Sequence, residues 1–348
     1  MKDTQLRLAF IGFGTVGQGL AEILVEQGDI LKEEFGFDYS VVAISDKIKG
    51  AVYDEGGLDL PKLLELVAKH DSITDYPAGI HGWDSLKTIT DTNANVIIEV
   101  SWTDITTGEP ALTHVKTAIS CFKHVVMTNK GPVALEARML LDMAAANGVQ
   151  LKFEGTVLSG TPAINLGIKN LAGSQITQIA GIVNGTTNFI LTEMAKGQSY
   201  ERALARAQEL GYAEADPTAD VEGYDALGKI VILSNVVMGG KITKDQVPCQ
   251  GITHLTVRDI EAASQAGKCW KLIAKAKIHP DGSVEASVRP EQIPLTHPLA
   301  AVSGPTNALT YSTKYLGDIT IIGPGAGKAP TGYALLTDLL DIHRQLRK

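Results

Sequence analysis

The first 150 residues alternate short apolar strands with helices, and this alternation constrains the fold more than any other feature. The runs Leu6–Ile11 and Asn95–Val100 are almost continuously apolar, and helix-length segments such as Glu109–Phe122 and Gly131–Asn147 follow or separate them. Continuous apolar strands separated by helices are typical of a parallel sheet covered on both faces. The sequence therefore predicts a doubly wound α/β domain over residues 1–150.

A different pattern begins after residue 150. Two strand candidates, Lys271–His279 and Ser283–Pro290, flank Pro280-Asp281-Gly282, which has the chemistry of a hairpin turn. Several helical stretches precede them in the chain. The pattern predicts an α+β domain with a mixed sheet over residues 151–322, followed by a glycine-rich loop and a final helix over residues 323–348.

Composition excludes several classes of protein. The chain has 31 basic and 39 acidic residues and a net charge of −8. This negative charge does not favour binding to nucleic acid or to an anionic membrane. No apolar run reaches the roughly 20 residues that span a bilayer, and the amino terminus lacks a signal-peptide pattern. The three cysteines, Cys121, Cys249 and Cys269, lie far apart and indicate neither disulfides nor a thiolate metal site. We expect a cytoplasmic protein.

A glycine-rich turn follows the first strand directly. The segment Gly12-Phe13-Gly14-Thr15-Val16-Gly17 fits the pattern G-x-G-x-x-G and opens a helix. In such a turn the first glycine allows the tight bend, the second lets the backbone approach a pyrophosphate, and the third lets helix and strand pack closely. The N–H groups of the helix amino terminus also favour phosphate. The turn predicts dinucleotide binding.

The residues after the second strand leave the choice of nucleotide open. Asp46 ends the strand candidate Tyr39–Ser45 and is positioned to bond a ribose hydroxyl, which favours NAD. Lys47 and Lys49 beside it offer positive charge for the 2′-phosphate of NADP, or form a solvated turn. The sequence therefore predicts that NAD or NADP binds, and it does not decide between the two nucleotides.

Further motifs appear in a fixed order along the chain. Thr128-Asn129-Lys130 ends a strand, Gly211-Tyr212-Ala213-Glu214-Ala215-Asp216-Pro217 continues through Asp225 to Lys229, and Gly323-Pro324-Gly325-Ala326-Gly327 precedes the last helix. Together with the first glycine turn, they resemble the homoserine dehydrogenase family. Members of that family interconvert L-homoserine and L-aspartate 4-semialdehyde with NAD(P)H, in the biosynthesis of threonine, methionine and isoleucine.

The resemblance implies an architecture as well as an activity. It implies an NAD(P)-binding Rossmann domain, a central catalytic and dimerisation domain, and a carboxy-terminal helix that returns to the first domain. A homodimer through the sheet of the central domain is expected. Because the sequence stops soon after Gly327, we expect a short form without a regulatory ACT domain or a fused aspartate kinase.

Two lysines are the candidate catalytic residues. Asp225 and Lys229 lie four residues apart, so a helix places them on one face, either as a surface ion pair or as part of a site. Apolar neighbours surround Lys229, and partial desolvation makes a lysine a better proton donor or acceptor near neutral pH. The resemblance assigns the general acid/base to Lys229 and places Lys130 near both nicotinamide and substrate. Which lysine delivers the proton stays open.

The resemblance also supplies binding residues. Glu214 and Asp225 are implied to hold the ammonium and hydroxyl ends of the substrate, while Ser101 and Gly327 are implied to contact the cofactor. The segment Asn184–Asn188 resembles a family segment beside the substrate pocket or, equally, a helix cap. Asp216 and Asp220 are interpreted as helix N-caps.

A cation loop is the last implied site. Glu154 opens a segment that resembles the monovalent-cation loop of the family, with the Glu154 carboxylate and the carbonyls of Val157, Ser159 and Thr161 around a structural sodium ion. Oxygen ligands suit such a hard cation. Carbonyl ligation depends on backbone shape, so the residue types support it only weakly.

Three other functions fit parts of the sequence. Another NAD(P)-dependent amino-acid dehydrogenase would use the same architecture. An acylating semialdehyde dehydrogenase requires a thiolate nucleophile, and neither Cys121 nor Cys269 has a visible histidine partner in the sequence. A non-enzymatic dinucleotide sensor would keep the glycine turn but has no need for Lys130, Glu214 and Lys229 together.

Overall fold

The computed structural model describes residues 5–347, which contain twelve β-strands and twelve α-helices. The strands are β1 (Leu6–Ile11), β2 (Tyr39–Asp46), β3 (Gly50–Tyr53), β4 (Ile80–His81), β5 (Val96–Glu99), β6 (His124–Met127), β7 (Leu151–Lys152), β8 (Ile176–Ile182), β9 (Lys268–Ile278), β10 (Val284–Pro294), β11 (Thr306–Thr313) and β12 (Gly317–Pro324). The helices are α1 (Thr15–Phe35), α2 (Leu60–His70), α3 (Ser85–Asp91), α4 (Ala111–Ser120), α5 (Lys130–Ala146), α6 (Ala163–Asn165), α7 (Gly185–Met194), α8 (Tyr200–Glu209), α9 (Thr218–Val221), α10 (Tyr224–Val236), α11 (Val257–Gln265) and α12 (Lys328–Leu346).

The chain divides into two compact units. The first contains the residues up to Gly160 and those from Gly327 onward, and the second contains Thr161–Ala326. The first division falls later than the predicted boundary at residue 150 because β7 still pairs with β6 in the first sheet. The second falls after residue 322 because β12 continues to Pro324 as the partner of β11.

The first unit is built on a mainly parallel sheet with the strand order β4-β3-β2-β1-β5-β6-β7. The ladders that join β2, β1, β5, β6 and β7 are parallel, as the alternating pattern predicts. Strands β3 and β4 add antiparallel pairs at one edge, which the sequence analysis missed because both strands are short. The strand order reverses at β1, and ligands of open α/β sheets bind outside the carboxyl ends of the strands at such a point.

Helices from both ends of the chain cover this sheet. Residues of β1, β2, α1, α2 and α12 form one buried apolar cluster. Helix α12 crosses α1 closely at two glycines: a Cβ added to Gly19 would lie 2.3 Å from the Lys328 carbonyl oxygen, and one added to Gly332 would lie 2.6 Å from the Gly19 carbonyl carbon. Only residues without a side chain permit backbones to approach so closely.

The second unit is built on an antiparallel sheet with the order β10-β9-β8-β11-β12. Every ladder between its named strands is antiparallel, so the expectation of a mixed sheet is wrong in this detail, whereas the α/β plus α+β fold class is confirmed. Short turns account for two of these ladders, since they join β9 to β10 and β11 to β12 and a tight turn reverses the chain direction. The ladders of β8 with β9 and β11 join strands that are far apart in the sequence.

Local turns of the backbone set several element boundaries. Strand β7 ends at Lys152, and the chain then turns into a short 3₁₀ helix at Glu154–Thr156. Helix α10 begins at Tyr224, after Gly223 takes a φ of 85°. Helix α11, which begins at a Thr256–Asp259 capping box, was not predicted.

Candidate active site

The three glycines of the first turn meet three different surroundings. Gly12 has a φ of 96°, and a Cβ there would lie 2.5 Å from the Val100 carbonyl oxygen. Gly17 lies against the backbone of Gly12, whose carbonyl oxygen would be 3.0 Å from an added Cβ. A Cβ on Gly14 would meet no protein atom within 4 Å. The first and third glycines are thus required by the fold, and the space beside Gly14 is open to a ligand.

Asp46 joins the end of β2 to the glycine turn. Its Oδ2 accepts the backbone N–H of Phe13 at 2.6 Å, and its Oδ1 accepts the N–H groups of Ile48 and Lys49 at 2.8 and 2.9 Å. A carboxylate oxygen accepts about two hydrogen bonds, so Oδ2 retains acceptor capacity beside the turn. Asp46 therefore shapes the turn in addition to any contact with a ribose.

A cleft of about 1070 Å³ lies along the carboxyl ends of β1, β2 and β5. It is lined by Gly12 and Gly14, by the turn from Ser45 to Ile48, and by Val100–Trp102. Lys47 is exposed at its rim, whereas Lys49 is bonded to Asp71. Of the two lysines predicted to hold a 2′-phosphate, only Lys47 thus lines the cleft.

Asn129 holds the ends of β5 and β6 together in the first unit. Its side-chain Nδ2 donates to the carbonyls of Ser101, at 3.3 Å, and Trp102, at 2.9 Å, while its Oδ1 accepts the N–H of Gly131 and caps α5. The next residue, Lys130, opens α5 and is half-buried. The two predicted residues Ser101 and Lys130 are thereby fixed on neighbouring strand ends.

Glu99 and His114 are site residues that sequence reasoning missed. The Glu99 side chain is fully buried at the end of β5, and its Oε1 accepts from the Ser101 hydroxyl, the Ser101 N–H at 3.3 Å and His114 Nδ1 at 3.3 Å. His114 lines the cleft from α4. A charged residue inside the apolar run NVIIEV was the available signal, because an isolated buried carboxylate is costly.

The second unit brings Lys229 and Asp225 together on α10. Lys229 Nζ lies 2.6 Å from Asp225 Oδ2 and also donates to the Val183 carbonyl oxygen at 2.7 Å. The lysine side chain is 9% exposed and that of Asp225 is 17% exposed, so this is not the solvated surface pair that the spacing alone allows. The ammonium group is therefore held in one place by two acceptors.

Asn184 adds a second carboxylate to this cluster. Its Nδ2 donates to Asp220 Oδ1 at 2.6 Å and to Asp225 Oδ2 at 3.0 Å, and its Oδ1 caps α7 by accepting the Thr187 N–H. Burial and the nearby Asp225 charge raise the pKa of Asp220. Asp220 is therefore not the predicted helix cap, whereas Asp216 does accept the N–H and hydroxyl of Thr218 at the start of α9.

Glu214 lies on an exposed loop between α8 and α9. The loop is tied to α7 through the Thr186 hydroxyl, which donates to the Tyr212 carbonyl at 2.6 Å, and through the ring contact of Tyr212 with Phe189. Gln208 Nε2 donates to the Glu214 carbonyl at 3.0 Å. The backbone that carries the Glu214 carboxylate is thus anchored at several points.

All four predicted cation residues are buried. Glu154 is buried, and the consecutive residues Leu158 and Ser159 have φ values of 57° and 53°, which bend the chain after Val157. The Thr161 carbonyl already accepts the Ala163 N–H at 2.7 Å.

Gly327, the last predicted cofactor contact, opens α12 with a φ of 125°.

Two of the three cysteines have the wrong properties for a nucleophile. Burial raises the pKa of the Cys249 and Cys269 thiols, which disfavours the thiolate. Cys249 Sγ donates to the Glu222 carbonyl rather than to an imidazole. The acylating alternative therefore gains no support from the structure.

Among the described residues, no helix is both long and apolar enough to cross a bilayer.

A dinucleotide cleft on a Rossmann-like sheet and a lysine–carboxylate cluster on a second unit define an NAD(P)-dependent oxidoreductase that acts on a CH–OH group. The sequence profile of homoserine dehydrogenase matches residues 162–340, and that of glutamate/leucine/phenylalanine/valine dehydrogenase matches residues 2–144. The chain belongs to the homoserine dehydrogenase family.

Relatives match over nearly the whole chain. The NAD(+)-dependent homoserine dehydrogenase of Pseudomonas canavaninivorans is 43% identical over 98% of this chain and 97% of its own length. The homoserine dehydrogenase of Methanocaldococcus jannaschii is 40% identical over 98% of this chain and 99% of its own.

Solved structures of the family also share this fold. A homoserine dehydrogenase from Thiobacillus denitrificans superimposes with a TM-score of 0.85 at 32% identity, covering 99% of this chain and 74% of its own. A hyperthermophilic archaeal homoserine dehydrogenase in complex with NADPH superimposes with a TM-score of 0.84 at 29% identity, covering 99% of this chain and 98% of its own.

Proposed function

We propose that this chain catalyses the NAD(P)-dependent interconversion of L-homoserine and L-aspartate 4-semialdehyde, with Lys229 as the general acid/base. The observation that carries the proposal is the Lys229–Asp225–Asn184–Asp220 cluster, which lies inside the segment that matches the family profile. It joins one fixed ammonium group to two carboxylates, the groups that an amino alcohol with its own ammonium requires.

The chain's own residues position the substrate and move the proton. When bound, the nicotinamide supplies or accepts the hydride. Lys229 donates a proton to the aldehyde oxygen in reduction and receives it in oxidation, and Asp225 and the Val183 carbonyl orient its Nζ. Glu214 and Asp225 bind the ammonium and hydroxyl ends of the substrate.

We propose that the cleft of the first unit takes NAD in preference to NADP. Gly12–Gly17 receives the diphosphate, with Ser101 and Gly327 on the nicotinamide side. The Asp46 carboxylate lines the cleft and would repel a 2′-phosphate, while Lys49 is engaged with Asp71. Lys47 remains as one exposed cation, which permits weaker use of NADP.

We also propose a structural sodium ion at the Glu154 segment. The donor set is the Glu154 carboxylate with the carbonyls of Val157, Ser159 and Thr161, all hard oxygens that suit a monovalent cation. The positive φ values of Leu158 and Ser159, 57° and 53°, support this role, because they bend the backbone that carries the Val157 and Ser159 carbonyls. Its contribution is to the loop rather than to the chemistry.

A homodimer through the sheet of the second unit completes the proposal. On one face of this sheet the Tyr311 hydroxyl donates to the Ala163 carbonyl of α6, and the opposite face carries the half-buried residues Ala180, Lys275 and Thr320. An identical sheet face from a second copy would bury these residues in an isologous contact.

One assay tests the function and the cofactor preference together. Purified protein is given L-homoserine with NAD or NADP, and the absorbance of the reduced nicotinamide is followed. We expect turnover with both and a kcat/KM at least about tenfold higher with NAD, the effect of about 1.4 kcal/mol. No homoserine-dependent reduction of either nucleotide would refute the function, and a preference for NADP would refute only the role of Asp46.

A further inference from the structure

A buried carboxylate borders the β5 side of the cleft. The Glu99 side chain is fully buried, and its Oε2 is among the buried side-chain atoms within residues 5–347 that have no hydrogen-bond partner. Its neighbours Val100, Ser101 and His114 line the cleft directly. A fully buried carboxylate at a ligand cleft rather than in the apolar core requires a reason beyond folding, because its burial is costly.

Glu99 determines which atoms its two neighbours present to a ligand. An ionised carboxylate is an acceptor only, so the Ser101 hydroxyl and the His114 Nδ1–H both donate to Glu99 Oε1. The hydroxyl oxygen of Ser101 then keeps its lone pairs for a ligand, and in a neutral imidazole whose Nδ1 carries the proton the second ring nitrogen of His114, Nε2, is an acceptor. This end of the cleft therefore presents acceptors, and the molecule that fits it carries donors.

The position along the cleft indicates which part of a dinucleotide carries those donors. The lining extends from Asp46 and Ile48 at the end of β2 to Val100–Trp102 at the end of β5, with the glycine turn between them. A diphosphate at the turn places one nucleoside on each side, and the acid that follows the second strand serves the adenosine ribose. The β5 side is left for the other ribose.

We propose that Ser101 and His114 form a subsite that accepts hydrogen bonds from the hydroxyls of the nicotinamide-side ribose, with Glu99 as the positioning residue behind both. The inference rests on the proposed function for the identity of the dinucleotide. It adds two residues, Glu99 and His114, whose alternative role is a purely structural tie between β5 and α4.

The binding of cofactor fragments distinguishes a ribose subsite from a purely structural tie. ADP contains the adenosine ribose and the diphosphate, and ADP-ribose adds the second ribose without the nicotinamide. Calorimetric titration of the full chain is expected to show that Glu99→Gln and His114→Phe weaken ADP-ribose about tenfold, the loss of roughly one well-made hydrogen bond. Both variants should bind ADP within about twofold of wild type. Ser101→Ala, a smaller change at a partly exposed position, should weaken ADP-ribose alone by several-fold.

A matched control is His343→Phe. It replaces a buried imidazole in the same unit, where the ring packs against Phe37 and does not line the cleft. It should leave the affinity for both fragments unchanged.

Two results would overturn the subsite. Equal weakening of ADP and ADP-ribose would indicate a structural tie, and unchanged ADP-ribose affinity in all three cleft variants would place the ribose elsewhere. Homoserine oxidation by the wild type is measured separately. If the wild type binds ADP-ribose but does not oxidise homoserine, the proposed function fails while the subsite stands.

Discussion

At the scale of single residues, burial distinguishes the residues of the candidate site from ordinary surface residues. Lys229 and Asp225 have a spacing that many surface ion pairs share, and their low exposure distinguishes them from such pairs. Exposed pairs contribute little free energy because solvent screens them. Held by two acceptors, the Lys229 ammonium is pre-organised for proton transfer.

Lys229→Ala tests the proton-transfer role. General acid–base catalysis typically contributes about 10²–10⁴ in rate, so we expect kcat for homoserine oxidation to fall at least about 100-fold while the affinity for NAD is unchanged. Lys271→Met is the matched control, because Lys271 is also a buried lysine of the second unit and donates to Asn188 and Val302. It should keep kcat within about threefold. Comparable kcat losses in both variants would argue against a specific role.

Asp220→Asn tests the electrostatics of the same cluster. Because burial and Asp225 raise the pKa of Asp220, the folded protein holds this proton to a higher pH than the unfolded chain does. Stability is therefore lost as the pH rises through the folded-state pKa. The variant, which carries no charge, should match wild type in acid and melt about 2 °C higher at neutral pH, the effect of about 1 kcal/mol.

Asp216→Asn should give the opposite trend in the same melting experiment. Hydrogen bonds from the Thr218 side chain and backbone lower the pKa of Asp216, so its contribution to stability is present above the unfolded-state pKa and is lost in acid. The variant should lose stability relative to wild type as the pH rises. The same sign for both variants would contradict the assigned surroundings.

At the scale of elements, the first βαβ turn combines a requirement of the fold with a requirement of the ligand. Gly12 is confined by the end of β5, whereas Gly14 faces open space at the amino terminus of α1. Glycine is therefore needed at Gly12 for the fold and at Gly14 for the ligand. Substitution of each glycine by alanine, which adds one methyl group, distinguishes the two requirements.

Gly12→Ala and Gly14→Ala form a matched pair. Alanine at Gly12 requires a positive φ and a backbone clash, so we expect a loss of more than about 2 kcal/mol of folding free energy. Gly14 has a φ of −74°, which alanine adopts, so this variant should lose about 1 kcal/mol or less. Denaturant unfolding and NAD titration measure the two effects. Gly14→Ala should weaken NAD at least about tenfold, and unaltered binding would mean that the diphosphate lies elsewhere.

At the scale of the whole molecule, the antiparallel sheet of the second unit has unequal faces. One face carries Tyr311, which is fully buried and bonded to Ala163 of α6, and the other carries Thr310 and Thr320, whose hydroxyls are 2.8 Å apart, beside the half-buried Ala180. The −8 charge of the chain does not prevent self-association, because screening by salt limits interactions between exposed charges to about a Debye length.

Thr320→Arg tests the proposed dimer. An arginine at position 320 would place two like charges in an isologous contact, which should convert the protein from dimer to monomer in sedimentation velocity. Thr177→Arg is the control, since Thr177 is an exposed threonine of the same sheet on the opposite face. A wild-type monomer, or a dimer that survives Thr320→Arg, would rule out this interface.

The sequence by itself determined the local features of this protein. Strand and helix periodicity, the glycine turn and the Asp225–Lys229 spacing depend on residues near one another in the chain, so pattern and backbone chemistry predict them. The resemblance of the ordered motifs likewise identified the family, which the comparisons confirmed.

Only the tertiary structure decided which distant residues share a site. Glu99 and His114 are 15 residues apart, and Asn184 reaches Asp220 and Asp225 from 36 and 41 residues away. The antiparallel order of the second sheet likewise depends on pairings between strands far apart in sequence. Burial, hydrogen-bond partners and sheet order follow from long-range packing, and no local pattern encodes them.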